Sequence, residues 1–111
     1  MRIEIRGRNL EVTEEMAEGV RKRFARIGRQ LSDLAVLDVE LREERNPSIA
    51  DGQVAEATLR VKGVTLRATE RSPEMLHSVK VLAEDMRRQV KRHRELRRKR
   101  HQTRRLIGRR A

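Results

Sequence analysis

The chain has no cysteine, tryptophan or tyrosine, and its one aromatic residue is Phe24. Without cysteine there is neither a disulfide staple nor a zinc–thiolate site, a usage that fits a reducing compartment. At 111 residues the chain is long enough for one domain, and its core has to be built from Ile, Leu, Val, Met and Ala. No run approaches 18 apolar residues, so nothing reads as a membrane span. Residues 1–15 alternate polar and apolar and lack the apolar stretch of a signal peptide, so the expected location is cytoplasmic.

Acids are scarce at one end. Residues 1–72 hold 14 Arg/Lys and 13 Asp/Glu, a net of +1, whereas residues 73–111 hold 14 against 4, a net of +10. From Arg87 onward 13 basic residues face a single acid, Glu95. A near-neutral body with one intensely basic end calls for a polyanionic partner.

What is present is periodic. "MRIEIR" alternates, with Ile3 and Ile5 on one face, and reads as a strand. Thr13 can cap a helix over residues 14–30, with Glu14 and Glu15 in its first turn and Met16, Val20, Phe24, Ile27 and Leu31 as its apolar stripe. "VLDVELRE" is a second strand, and "RNPSIADG" a loop with turns at Asn46-Pro47 and Asp51-Gly52. Pro47 cancels the glycosylation acceptor that Asn46 and Ser48 would otherwise make. "VAEATLRVKGVTLRATER" is a hairpin about Lys62-Gly63. A two-residue loop there pairs Val61 with Val64, Leu59 with Leu66 and Ala57 with Ala68, and a one-residue slip destroys that agreement. Ser72 then suits an N-cap and Pro73 the first helical position. The helix they open, with Met75, Val79, Leu82, Ala83, Met86 and Val90 as its stripe, is expected to run to about residue 97. The expected fold is α+β: a two-layer sandwich of order β-α-β-β-β-α, its four-stranded sheet carrying both helices on one face. The domain spans 1–97, and 98–111 is a basic C-terminal tail, ordered only on binding.

Chemistry finds little to work with. The serines lack a partner motif. Glu84 and Asp85 read as surface pairs to Arg88 or Gln89. His77, His93 and His101 have no helical ligand spacing, and the glycines are too scattered for a phosphate loop. No catalytic residue, metal or cofactor is expected.

The basic helix remains. Like charges four apart, such as Arg87/Lys91, Arg88/Arg92 and Arg94/Arg98, each cost a few tenths of a kcal/mol on a bare helix. A polyanion turns that cost into binding through counterion release. Base readers of single strands generally need stacking aromatics, absent here, and a membrane-surface helix needs bulkier apolar anchors than Leu96, Leu106 and Ile107. The composition favours phosphate and shape recognition of folded RNA or duplex, for which the arginine fork is suited.

Three stretches carry a family resemblance. "GRNLEVTEEM" (residues 7–16), "VRKRFARIGR" (20–29) and "SPEMLHSVKVLAEDMRRQVKRHR" (72–94) resemble, in order and spacing, the ribosome hibernation-promoting factor and ribosome-associated inhibitor A family over residues 1–96. The resemblance implies a protein that binds the small ribosomal subunit through rRNA phosphates in the channel of mRNA and of A- and P-site tRNA. It silences translation under stress or in stationary phase, in some cases beside a second, ribosome-dimerising factor, and handles no small-molecule substrate. It also implies RNA contact by Lys22, Arg23, Arg26 and Arg29 on the first helix and by Arg87, Arg88, Lys91, Arg92 and Arg94 on the second. These are the side chains that charge alone selects. Lys80, Arg97 and Arg98 complete the expected set. Leu76, Lys80 and Asp85 depart from the usual family residues, and the tail is more basic than is common in the short inhibitor form. A stand-alone duplex-RNA-binding module is the competing reading. A DNA regulator lacks a helix-turn-helix pattern, and an enzyme would need a pocket of clustered carboxylates.

Overall fold

Strand alternation and two amphipathic helices build β1 (Arg2–Arg8), α1 (Glu14–Arg29), β2 (Val36–Glu43), β3 (Gln53–Val61), β4 (Val64–Ser72) and α2 (Met75–Arg110). The computed structural model describes residues 1–46 and 48–110, the side chains of 104–110 excepted. The sheet order is β1-β2-β3-β4, with β1 and β2 parallel across the α1 crossover and the other pairs antiparallel.

The hairpin register matches the expectation: Val61 lies opposite Val64, Leu59 opposite Leu66, and Ala57 opposite Ala68. Lys62 (φ 33°) and Gly63 (φ 77°) both take positive φ, the requirement of the two-residue turn that follows the twist of the strands. The Asn46-Pro47 turn falls partly outside the described residues, because Pro47 is not among them. Beside it the Ile49 N–H donates to the Asn46 carbonyl at 3.0 Å.

One face of the sheet is apolar. Leu37, Val39, Leu41, Ala55, Ala57 and Leu59 are fully buried there, beneath Val20, Phe24 and Ile27 of α1 and Val79, Leu82, Met86 and Val90 of α2. Phe24, the one Phe, Tyr or Trp of the chain, is completely enclosed. Thr13 caps α1 as expected, its Oγ1 accepting from the Met16 N–H at 3.2 Å. The two helices approach closely at Gly19, where a Cβ would stand 2.8 Å from Leu76 Cδ2.

Both ends of α2 differ from expectation. Ser72 is not the helix cap: it remains in β4, paired with Gln53, and is buried. Its hydroxyl instead accepts the Glu74 N–H at 3.2 Å, and the first helical bond runs from the Ser78 N–H to the Glu74 carbonyl at 3.1 Å. Ser78 Oγ closes the junction by donating to the Gln53 carbonyl at 2.7 Å. At the other end the helix does not stop near residue 97. It continues to Arg110, so the expected tail has helical backbone over 98–110, while Ala111 and the side chains from 104 lie outside the described residues. The apolar stripe ends at Val90, which is the last buried side chain of the helix among the described residues. What sustains the helix is composition: residues 91–107 are rich in Arg, Lys, Leu and Gln and contain neither Gly nor Pro. The arm beyond Val90 is about 30 Å long at 1.5 Å per residue, and the longest dimension of the molecule is 63 Å.

Candidate nucleic-acid interface

The two layers handle charge in opposite ways. On the helix-free face of the sheet, register puts opposite charges side by side. Arg42 Nη1 lies 2.8 Å from Glu56 and 3.5 Å from Glu40, Arg60 lies 2.9 Å from Asp38, Arg6 lies 3.3 Å from Glu40, and Arg2 lies 3.0 Å from Glu4. The hydrogen bond that Arg42 donates to Glu56 raises the guanidinium above its ordinary value. That face pairs most of its cations; Arg8 and Arg67 are the exposed strand arginines there with no acid within 4 Å among the described residues.

The helix layer does not. All twelve basic residues expected at the interface are exposed. Among the described residues, none of them is in an ion pair within 4 Å. The surface pair expected between Glu84 and Arg88 does not form. Nine of the twelve line two adjoining clefts. Lys22, Arg23 and Arg26 of α1 face Lys80 and Arg87 of α2 across the helix–helix groove, whose floor is Ile27 and Ala83. Arg87, Arg88, Lys91, Arg94 and Arg98 line the second cleft, along α2 past the end of α1. Arg87 belongs to both, so the two form one continuous cationic track. The spacing explains it: Lys80, Arg87, Lys91, Arg94 and Arg98 fall on one face of a helix, with Glu84 at the step between Lys80 and Arg87, and Glu84 and Glu95 are the acids that line the two clefts. Arg29 and Arg92 lie off this track, and Arg97 lines an apolar pocket instead.

Two features escaped the sequence reading. Gln30, at the C-cap of α1, enters the second cleft and accepts a hydrogen bond from Arg94 Nη1 at 3.3 Å, tying the end of α1 to α2. Glu70 continues the core-facing register of β4 after Leu66 and Ala68, lying opposite Ala55. Burial first, then a hydrogen bond and repulsion from Asp85, raise its carboxyl above the ordinary 4.5, against the opposing pull of Arg88. Asp85 also accepts from Gln89 Nε2 at 3.2 Å, which in turn donates to the Arg67 carbonyl at 2.7 Å. An acid interrupting an apolar alternation was the signal available in the sequence. Among the described residues no group of three or more His, Asp or Glu is placed to hold a metal, and no described helix is long and apolar enough to cross a membrane.

The family described as "Sigma 54 modulation protein / S30EA ribosomal protein" matches residues 3–98, nearly the whole of the sheet, α1 and the cationic part of α2. The chain belongs to this family. Among its relatives, a ribosome hibernation promoting factor of Salmonella typhimurium is 30% identical over 95 residues, covering 86% of this chain and 95% of the relative. One of Acinetobacter guillouiae is 27% identical over 101 residues, covering 86% and 89%. A ribosome hibernation promotion factor of Picosynechococcus is 28% identical, and there this chain spans only 50% of the relative. Of solved structures, the N-terminal domain of Protein Y from Thermus thermophilus superposes with a TM-score of 0.70 at 26% identity, over 84% of this chain and 99% of that one. A ribosomal subunit interface protein from Coxiella burnetii shares the fold, with a TM-score of 0.71 at 15% identity over 86% and 99%. The family match ends at Arg98, so the outer part of α2, residues 99–110, extends beyond it.

Proposed function

We propose that this protein is a ribosome hibernation factor. It binds the small ribosomal subunit through rRNA phosphates in the mRNA and tRNA channel, at the A and P sites, and silences translation under stress or in stationary phase. The observation that carries the reading is the track of exposed cations from Lys22 to Arg98, none of them in an ion pair within 4 Å among the described residues, on a chain of the sigma 54 modulation and S30EA family. The names of its relatives, ribosome hibernation promoting factors, support the same reading. Arginine forks in a groove between two rigid helices suit phosphates whose positions are set by a folded RNA. The buried stripes fix the helices, so the charges are held in register before the partner arrives.

Co-sedimentation with purified small subunits at near-physiological salt, with excess duplex RNA as competitor, tests this. The expected result is saturable one-to-one binding that survives the competitor and is lost when mRNA and tRNA are bound first. Binding removed by the competitor, with no preference for the subunit, would leave a duplex-RNA module on the same fold.

A further inference from the structure

The helix layer ends before the sheet does. α1 stops at Arg29, and the turn that follows peels away towards β2, leaving Leu31, Val61 and Leu66 only partly covered. Together with Ala35 and Val90 they wall a pocket of about 330 Å³ where α2 leaves the body. The Leu34 N–H donates to Ser32 Oγ at 2.9 Å, and this turn projects the Leu34 side chain into solvent at the mouth, 90% exposed. The mouth is cationic, with Lys62, Arg94 and Arg97, and no acid lines it. Gln30 and Arg94, bonded to each other, line both this pocket and the cationic cleft.

We propose that the pocket accepts a single nucleobase, turned out of the RNA strand whose phosphates the adjoining cleft holds. A phosphate on Arg94 or Arg98 brings the attached base to the mouth. Aliphatic walls and arginine planes take the faces of a base, and Gln30, Ser32 and His93 can bond to its edge. A bare phosphate gains nothing from the apolar floor, and a cation is repelled at the mouth. The volume is at the small end of ligand pockets, about 300–1,000 Å³, and too small to seat a partner helix of about 10–12 Å diameter.

The assignment rests on the RNA-binding function proposed above, and the test separates the two. The full chain, ¹³C-labelled at Leu and Val methyls, is titrated by NMR with adenosine 5′-monophosphate and, in parallel, with ribose 5-phosphate. The expected result is saturable shifts at Leu31, Val61, Leu66 and Val90 from the nucleotide and none from the sugar phosphate. A pocket-filling variant, Val61→Phe, should bind small subunits about two- to fivefold more weakly, the range for losing one guanidinium–ring stack, with an unchanged melting temperature. Equal methyl responses to the two ligands, or undiminished subunit binding by Val61→Phe, would overturn the assignment. So would shifts produced by an acidic, leucine-rich peptide but not by the nucleotide. Methyl shifts from the nucleotide in a protein that fails to bind subunits would uphold the pocket and count against the ribosomal function.

Discussion

Two triple variants with the same change in net charge should behave very differently. One replaces Arg87, Arg88 and Lys91 in the cationic track by Gln; the other replaces Arg2, Arg60 and Arg71 on the sheet face. Each removes three positive charges. The first set has no acid within 4 Å among the described residues, whereas the second sits 3.0, 2.9 and 3.9 Å from Glu4, Asp38 and Glu44. Each phosphate neutralised contributes about 0.9 to the slope of log K against log salt on duplex nucleic acid. The track variant should therefore lose about 2.7 from that slope, which at 0.1 M salt is about a 500-fold loss of affinity for small subunits. The sheet variant should keep the slope of the parent. Its broken pairs are exposed, and each costs at most about 1 kcal/mol of stability. Filter binding at four salt concentrations, with thermal melts as a control on folding, measures both. Equal loss in the two variants would mean that the partner reads net charge rather than this groove, and the assignment of the helix layer would fail.

Ending the chain at Arg98 should leave the melting temperature unchanged, because among the described residues the last buried side chain of α2 is Val90. It should also flatten the salt dependence, since Lys99, Arg100 and four further arginines are lost; an unaltered slope would show that the outer arm touches no RNA. Ser78→Ala should cost about 1–3 kcal/mol in urea unfolding, because it strips a buried bond from the Gln53 carbonyl and the Ser72 hydroxyl; a loss below a few tenths would refute that role. Glu70 holds its proton more firmly in the folded chain than its ordinary 4.5 allows, so the native state binds more protons and stability falls as pH rises through that range. Glu70→Gln should remove that fall, and its advantage over the parent should grow from about pH 4 towards neutrality; a pH-independent difference in melting temperature would refute it.

Local periodicity made the sheet and α1 legible. The Lys62-Gly63 loop and the matched apolar residues around it admitted only one register, and Thr13 with two following glutamates marked a helix start. The failures are of two physical kinds. At Ser72, local capping preference competed with a strand bond to Gln53, a partner 19 positions earlier that no local window contains. Beyond Val90 the apolar period that identifies a helix vanishes, so the expected helix ends near residue 97 and 98–111 reads as a tail, although its residues favour helix individually. The site was legible as a set of charges but not as a surface. Sequence could not tell that Arg92 points off the track that Lys91 and Arg94 share, that Gln30 would join them, or that the sheet would outrun α1 and leave a pocket.

Pairing most cations of the sheet face while leaving the track on the helix layer without ion pairs also makes the molecule an electric dipole. Near a highly charged RNA such a body experiences a torque as well as an attraction, so it turns helix layer first before contact. Fewer encounters are wasted on the sheet face, and the arm of α2 extends the lever on which that torque acts. Arrival, and not only retention, is then governed by the ion pairs of the sheet.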